Sequence, residues 1–195
     1  RVCVTAGPTR EIIDPVRFIS NNSTGKMGYA IAKEAMLRGA EVTLISGKVN
    51  IAPVPFVNMV NIVSAKDMYY EVMKASEYSD IIIKAAAVAD YRPATVSDNK
   101  IKKKDGDMSI ELTRTEDIIG TLGKNKKNNN FLCGFSMETE NMLENSRKKL
   151  KKKNLDMIVA NSLKMEGAGF GGNANVVTVI TEDFEKELGK LTKEE

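Results

Sequence analysis

Short apolar runs alternate along the chain with longer stretches in which apolar residues recur at helical spacing. VCVTA at Val2–Ala6 predicts a buried strand, Lys26–Arg38 a helix ended by Gly39, and Glu41–Ser46 a second strand closed by Gly47. Beyond the loop IAPVPF, Val57–Val63 predicts a third strand, and Lys66–Tyr78 a helix with Ser64 as its cap. DIIIK at Asp80–Lys84 predicts a fourth strand. Ala94–Gly106 is polar and basic and predicts a mobile loop, with Met108–Leu112 as a short added β element. Alternation then returns with a helix over Glu116–Lys127, a strand at Phe131–Ser136, a helix over Asn141–Lys153 and a strand at Met157–Asn161. A glycine-rich loop, GAGFGGN, leads into a last strand at Val176–Thr181. Strands alternating with helices predict an α/β fold with a mainly parallel sheet, right-handed crossovers and helices on both faces. No repeat or linker divides residues 1–195, so one domain is expected.

Composition narrows the chemistry more than the fold. The chain has 42% hydrophobic and 28% charged residues, ordinary for a soluble globular protein. No apolar run is long enough to span a bilayer and no signal peptide is evident, so a cytoplasmic protein without a membrane partner is expected. Arg1 is not a natural first residue, and the sequence reads as trimmed or cut from a longer polypeptide. Cys3 and Cys133 sit in apolar runs and read as core residues rather than as a disulfide or metal pair. With no histidine in the chain, Ser-His-Asp and Cys-His catalysis, histidine metal sites and a histidine base are excluded within it.

Open sheets of this kind collect ligands beyond the carboxyl ends of their strands. Three polar segments fall there: TAGPTR, AAAVADYRP, and the loop FISNNSTGKMG that feeds the first long helix. The loop is not a Walker loop, which would need Gly at position 20 and Ser or Thr at 27, where the chain has Ser20 and Met27. It is not a Rossmann fingerprint either, since Ser23 replaces a required Gly and no acid ends the next strand. Two readings stay open. Gly25 and Gly28 could let an anion approach the helix amides, or Ser23 or Thr24 caps the helix while Gly28 permits tight packing on the sheet. In AAAVADYRP, small side chains could receive a flat ring or ribose beside Asp90, or the run is a packed strand end turned by Pro93.

The net charge of +3 is small, but positive charge gathers in KIKKK at 100–104 and RKKLKKK at 147–153. At about 100° per residue, Lys149 and Lys153 share one flank of their helix, Arg147 and Lys151 the other, and Leu143 with Leu150 marks the buried stripe. Lys148 and Lys152 then face solvent. A solvated basic face is the alternative to a phosphate site. Nucleic-acid binding is disfavoured by the few aromatics and by lysines divided between a loop and a helix flank. A dinucleotide-dependent reductase is disfavoured by Ser23 and the missing ribose acid.

Taken in order, VTAGPTREIIDPVRFISNNSTGKMG, KAAAVADYRP, NKIKK, GFSMET and KKKNLDMIVAN resemble the bacterial phosphopantothenoylcysteine synthetases. The resemblance runs from Val2 to Val179. It implies a Rossmann-like three-layer sandwich, a homodimer, and a ligase that joins 4′-phosphopantothenate to L-cysteine with CTP and a divalent cation, normally Mg2+. In many bacteria such a domain is fused to a flavin-dependent decarboxylase, so no flavin is expected in this chain.

The implied reaction has two steps. The substrate carboxylate attacks the α-phosphorus of CTP, giving an acyl-cytidylate and pyrophosphate; the cysteine amine then displaces CMP. The resemblance gives Lys100 to the first step and Asn21 to binding and forwarding the acyl intermediate, so that the opening loop holds the pantothenate side. Arg17 and Ala87 fall on positions tied to activity. The nucleotide positions carry over to Lys84, Ala85, Ala86, Asp90, Lys100, Thr113, Arg114, Thr115, Glu116, Phe135, Lys149 and Lys153. Lys84 stands where related sequences often have a small residue, and Thr113–Glu116 departs from the expected VKNP type. The metal ligands are not identified by the sequence. The loop around KIKKK is expected to close over the nucleotide.

Overall fold

The computed structural model describes residues 1–195 apart from 104, 128, 139, 163–173 and 194–195. The GAGFGGN loop and Lys104 therefore lie outside the described residues. The first half runs β1 (Val2–Ala6), β2 (Arg10–Ile12), β3 (Phe18–Ser20), α1 (Lys26–Leu37), β4 (Val42–Ser46), β5 (Asn58–Asn61), α2 (Ala65–Ser76) and β6 (Ile81–Lys84). The second runs β7 (Tyr91–Pro93), β8 (Leu112–Arg114), α3 (Ile118–Lys124), β9 (Phe131–Glu138), α4 (Met142–Lys152), β10 (Met157–Ser162), β11 (Ala174–Asn175), β12 (Val177–Ile180), β13 (Glu185–Glu187) and β14 (Leu191–Thr192).

An eight-stranded sheet of order β13-β12-β10-β9-β6-β1-β4-β5 forms the middle layer. Strands β5 through β10 in that order pair in parallel, and β12 and β13 add antiparallel at one edge. The predicted α/β Rossmann-like sandwich is what folds. Alternation along β1 shows how the layers form. Val2, Val4 and Ala6 pack with Tyr29 and Ala32 of α1, while Cys3 turns to the other face with Met68 of α2, Ile118 of α3 and Leu150 of α4. Cys3 and Cys133 are both free and buried, as expected of core residues.

Local chemistry explains the boundaries. Ser64 caps α2 through a reciprocal box, its Oγ accepting from Asp67 N and the Asp67 carboxylate accepting from Ser64 N. Gly39, at φ +85°, follows α1 as predicted. Gly28 is a packing glycine: a Cβ there would stand 2.5 Å from Ala6 Cβ and 2.8 Å from Thr5 O. Gly28→Ala should therefore push α1 off β1 and cost about 1–3 kcal/mol, read as a lower urea midpoint.

Three expectations are corrected. The added strand lies at Leu112–Arg114, pairing with Tyr91–Pro93, rather than at Met108–Leu112. Leu143 is 39% exposed; the buried stripe of α4 passes through Ser146 and Leu150, spaced one turn apart. Val177–Ile180 is not the last strand, because the exposed EKE segment of β13 pairs beside it.

Candidate functional site

The carboxyl ends of β1 and β6 are sewn together. Ala87 N donates to Gly7 O at 3.0 Å and Thr9 N to Ala87 O at 3.3 Å. The threonine hydroxyls lend acceptors on either side: Ala86 N donates to Thr5 Oγ1 at 3.1 Å and Ala89 N to Thr9 Oγ1 at 3.0 Å. Asn21 Nδ2 adds a second donor to Ala87 O at 3.1 Å, and Ser20 Oγ donates to Thr9 O at 2.8 Å. TAGPTR, AAAVADYRP and FISNNSTGKMG thus meet at one place. Small residues in the middle segment let one backbone amide and one asparagine amide converge on a single carbonyl.

Two cavities adjoin there. The smaller, about 150 Å³, is lined by Ser23–Gly28, Ala85–Ala87, Phe135 and Met137, with Asn161 at its wall. Gly25, at φ +80°, is the N-cap of α1 and supplies no side-chain cap, while Ser23 Oγ accepts from Gly25 N at 3.3 Å. Neither Ser23 nor Thr24 is the N-cap, so the capping alternative gives way to a loop that faces a cavity. The packing alternative for Gly28 holds as well.

The larger cavity, about 520 Å³, takes its walls from four separated segments. Lys84, Ala86 and Asp90 come from the end of β6 and beyond, Arg114–Glu116 from β8 and its exit, Phe135 from β9, and Lys149 and Lys153 from α4. Ala86 and Phe135 line both cavities, so the two share a wall. Lys149 and Lys153 are half-buried on one flank of α4, and Lys148 and Lys152 are exposed, as the helical geometry predicts. Lys149 Nζ donates to Phe135 O at 3.2 Å. Lys153 pairs with Asp117, which also caps α3 by accepting from Gly120 N. Thr115 ties its segment to Ala89 O through its hydroxyl at 2.6 Å.

Some predicted residues stand elsewhere. Thr113 lines neither cavity, nor do Arg17, Asn21 and Lys100. Asn21 still touches the wall through Ala87. Lys100 is exposed, and its neighbour Ile101 is fastened by a pair that sequence reasoning missed in part. The buried Asp14 carboxylate accepts from Ile101 N at 3.0 Å and from Arg17 Nη2 at 2.5 Å, and Arg17 Nη2 also donates to Ile101 O at 2.8 Å. The Arg17 guanidinium holds the Asp14 carboxyl well below the usual carboxylate range, helped by the Val16, Arg17 and Ile101 amides. An aspartate followed by Pro15 is a turn signal that could have pointed to it. Asp14→Asn removes the charge from this latch. Amide exchange at Ile101 should then speed up by about tenfold or more, since a charge-assisted bond is lost, while exchange in β1 stays slow.

Comparison with known proteins places this geometry. The profile of the family described as DNA/pantothenate metabolism flavoprotein C-terminal domain matches residues 1–195. The coenzyme A biosynthesis bifunctional protein CoaBC of Bacillus subtilis (strain 168) is 52% identical over 194 residues, 98% of this chain and 48% of its own. A cysteine/cysteine sulfinic acid decarboxylase from an unknown prokaryotic organism is 52% identical over 92% of this chain and 50% of its own. The crystal structure of the C-terminal domain of a coenzyme A biosynthesis bifunctional protein CoaBC is 46% identical, superposes with a TM-score of 0.84, and is matched over 100% of this chain and 88% of that one. The chain spans about half the length of the curated relatives it matches.

Proposed function

The chain belongs to the family of DNA/pantothenate metabolism flavoprotein C-terminal domains, and on that premise we propose that it is a CTP-dependent ligase of coenzyme A synthesis, joining 4′-phosphopantothenate to L-cysteine. The observation that carries the reading is the paired cavities with a common wall at Ala86 and Phe135. The larger gathers Lys149 and Lys153 with carboxylates and a phenyl ring, suited to a nucleotide; the smaller is framed by small residues and the start of α1, suited to the acyl group and its phosphate. Similarity to a CoaBC C-terminal domain over the whole chain supports it.

In this reading CTP occupies the larger cavity, and the phosphopantothenate carboxylate meets the α-phosphorus beside Ala86. Lys149 and Lys153 balance phosphate charge, and Lys100 reaches the transferring phosphate as the segment that carries it closes from its fastening at Ile101. Asn21 and Ala87 hold the acyl group while the cysteine amine displaces CMP. Among the described residues no three acidic or sulfur side chains converge on one point. That suits a magnesium ion carried by phosphate oxygens and water, with Asp90 or Glu116 adding a single oxygen. When bound, such an ion would offset part of the triphosphate charge, leaving the rest to Lys149 and Lys153.

The homodimer is part of the proposal. Among the described residues α1 packs chiefly over one face of β1 and β4, with Met59 of β5 and Ile83 of β6 at its margins. On the same face of the second half of the sheet, Ile81 and Phe131 are each 37% exposed and Val159, Val177 and Val179 are half-buried. An apolar sheet face of this kind is covered by another copy. We place the flavin and its decarboxylase chemistry in the half of the longer relatives that this chain does not match. The decarboxylase name of one relative fits that division. No helix among the described residues is long and apolar enough to cross a membrane, and we assign the enzyme to the cytoplasm.

Incubation with CTP, Mg2+, 4′-phosphopantothenate and L-cysteine should yield phosphopantothenoylcysteine and CMP in equal amounts by mass spectrometry. Folded protein that makes neither would overturn the proposal.

A further inference from the structure

Lys84 ends β6 with its side chain on the α2 and α3 side of the sheet, 7% exposed. Its Nζ has one partner among the described residues, the Met68 thioether at 3.6 Å. Lys153, on the same cavity, has a carboxylate, and Lys149 a carbonyl oxygen. A buried ammonium without an oxygen partner is a standing cost to the fold. The cost has a local outlet, because Lys84 lines the floor of the larger cavity beside Ala86, Val88, Ile119 and Phe135.

Resting on the nucleotide reading above, we propose that the Lys84 ammonium is the donor that anchors the nucleotide from the cavity floor, its missing acceptor being a nucleotide oxygen. Bases and phosphates both offer that oxygen. The apolar lining around Lys84 suits a base carbonyl, and the outer lysines suit the phosphates.

Burial pushes the Lys84 ammonium down to about 8, with the Cys3 thiol acting in the opposite direction. An oxygen acceptor delivered by the ligand favours the charged form and raises it again. Binding above that value must therefore take up a proton. Of the groups that face Lys84, Cys3 on β1 has its thiol pushed up to about 11 by burial, Met68 on α2 does not titrate, and Asp90, Glu116 and Asp117 are the carboxylates on the cavity. Arg114, Lys149 and Lys153 are the cations on the same cavity, and Tyr91 is its phenol.

The stability consequence runs against the functional one. The folded value lies below the unfolded 10.5, so wild-type stability rises with pH between about 8 and 10.5, where only the unfolded chain binds the proton. Lys84→Met removes the buried charge at nearly constant shape. Its urea midpoint should exceed that of the wild type at pH 7, with the gain shrinking through that window.

Calorimetric titration with CTP at pH 9, in buffers of different ionisation enthalpy, tests the proposal. Wild type should take up close to one proton per CTP, and Lys84→Met none, with affinity at pH 7 weakened roughly ten- to a hundredfold. Uptake that persists with cytidine places the acceptor on the base; uptake confined to CMP and CTP places it on phosphate. Either result supports the anchor. Equal affinity of the two proteins, without uptake, overturns it and leaves the ligase reading standing. Failure of both folded proteins to bind CTP overturns the nucleotide reading and this inference with it.

Discussion

Lys100→Gln lowers pyrophosphate release from CTP and 4′-phosphopantothenate by about a hundredfold or more, the scale set by removing one preorganised charge-stabilising group. Stability should not follow. Lys100 is exposed and has no hydrogen-bond or ion-pair partner among the described residues, so the urea midpoint should stay within about 0.5 kcal/mol of wild type. Its place explains the expected effect. Ile101 is gripped on both backbone atoms by Asp14 and Arg17, and Ser97 N donates to Ile13 O at 3.0 Å, so the segment carrying Lys100 leaves the domain from a fixed base. At about 4 Å from phosphate charge and an effective dielectric near 20, an ammonium gains about 4 kcal/mol, and a neutral amide forfeits most of it. Rapid-quench measurement of pyrophosphate at saturating CTP separates this loss from weaker binding. A release rate within threefold of wild type would remove Lys100 from the chemistry.

Asn21→Asp stops the reaction later. The Asn21 amide donates to Ala87 O at 3.1 Å, the carbonyl that also receives Thr9 N. An aspartate cannot donate, and its charge is repelled by the carbonyl oxygen, so the loop parts from the wall of the acyl cavity. The larger cavity is left intact, because Asn21 is not part of it. Pyrophosphate should appear in an amount close to that of the enzyme, acyl-cytidylate should be recovered after acid quench, and turnover with cysteine should fall by about a hundredfold. A block of the first step as deep as that of Lys100→Gln would reverse the roles given to the two residues.

Both predictions draw on residues that the sequence names more readily than it arranges. The strands of the parallel core were legible because alternation and apolar runs such as DIIIK report burial directly, and the caps at Ser64 and Gly39 have local chemical causes. The β2–β3 hairpin and β13 were not, since three-residue strands with exposed positions carry no period. The basic run showed the opposite strength: helical geometry alone put Lys149 and Lys153 together, and the cavity wall agrees. It could not show that the stripe beneath them runs through Ser146, a small polar residue fully buried by close packing. The convergence on Ala87 was invisible because most of its bonds are made by backbone, which every residue carries. The burial of Lys84 was not legible either. A lysine at a strand end normally reaches for solvent, and only its contact with Met68 of α2 reveals that this one does not.

The most direct measurement is pyrophosphate release by the folded protein given CTP, Mg2+ and 4′-phosphopantothenate with cysteine withheld. The ligase proposal predicts release that depends on the acid substrate and is accompanied by acyl-cytidylate. Absence of release with all three present, or release that ignores the acid, would contradict it.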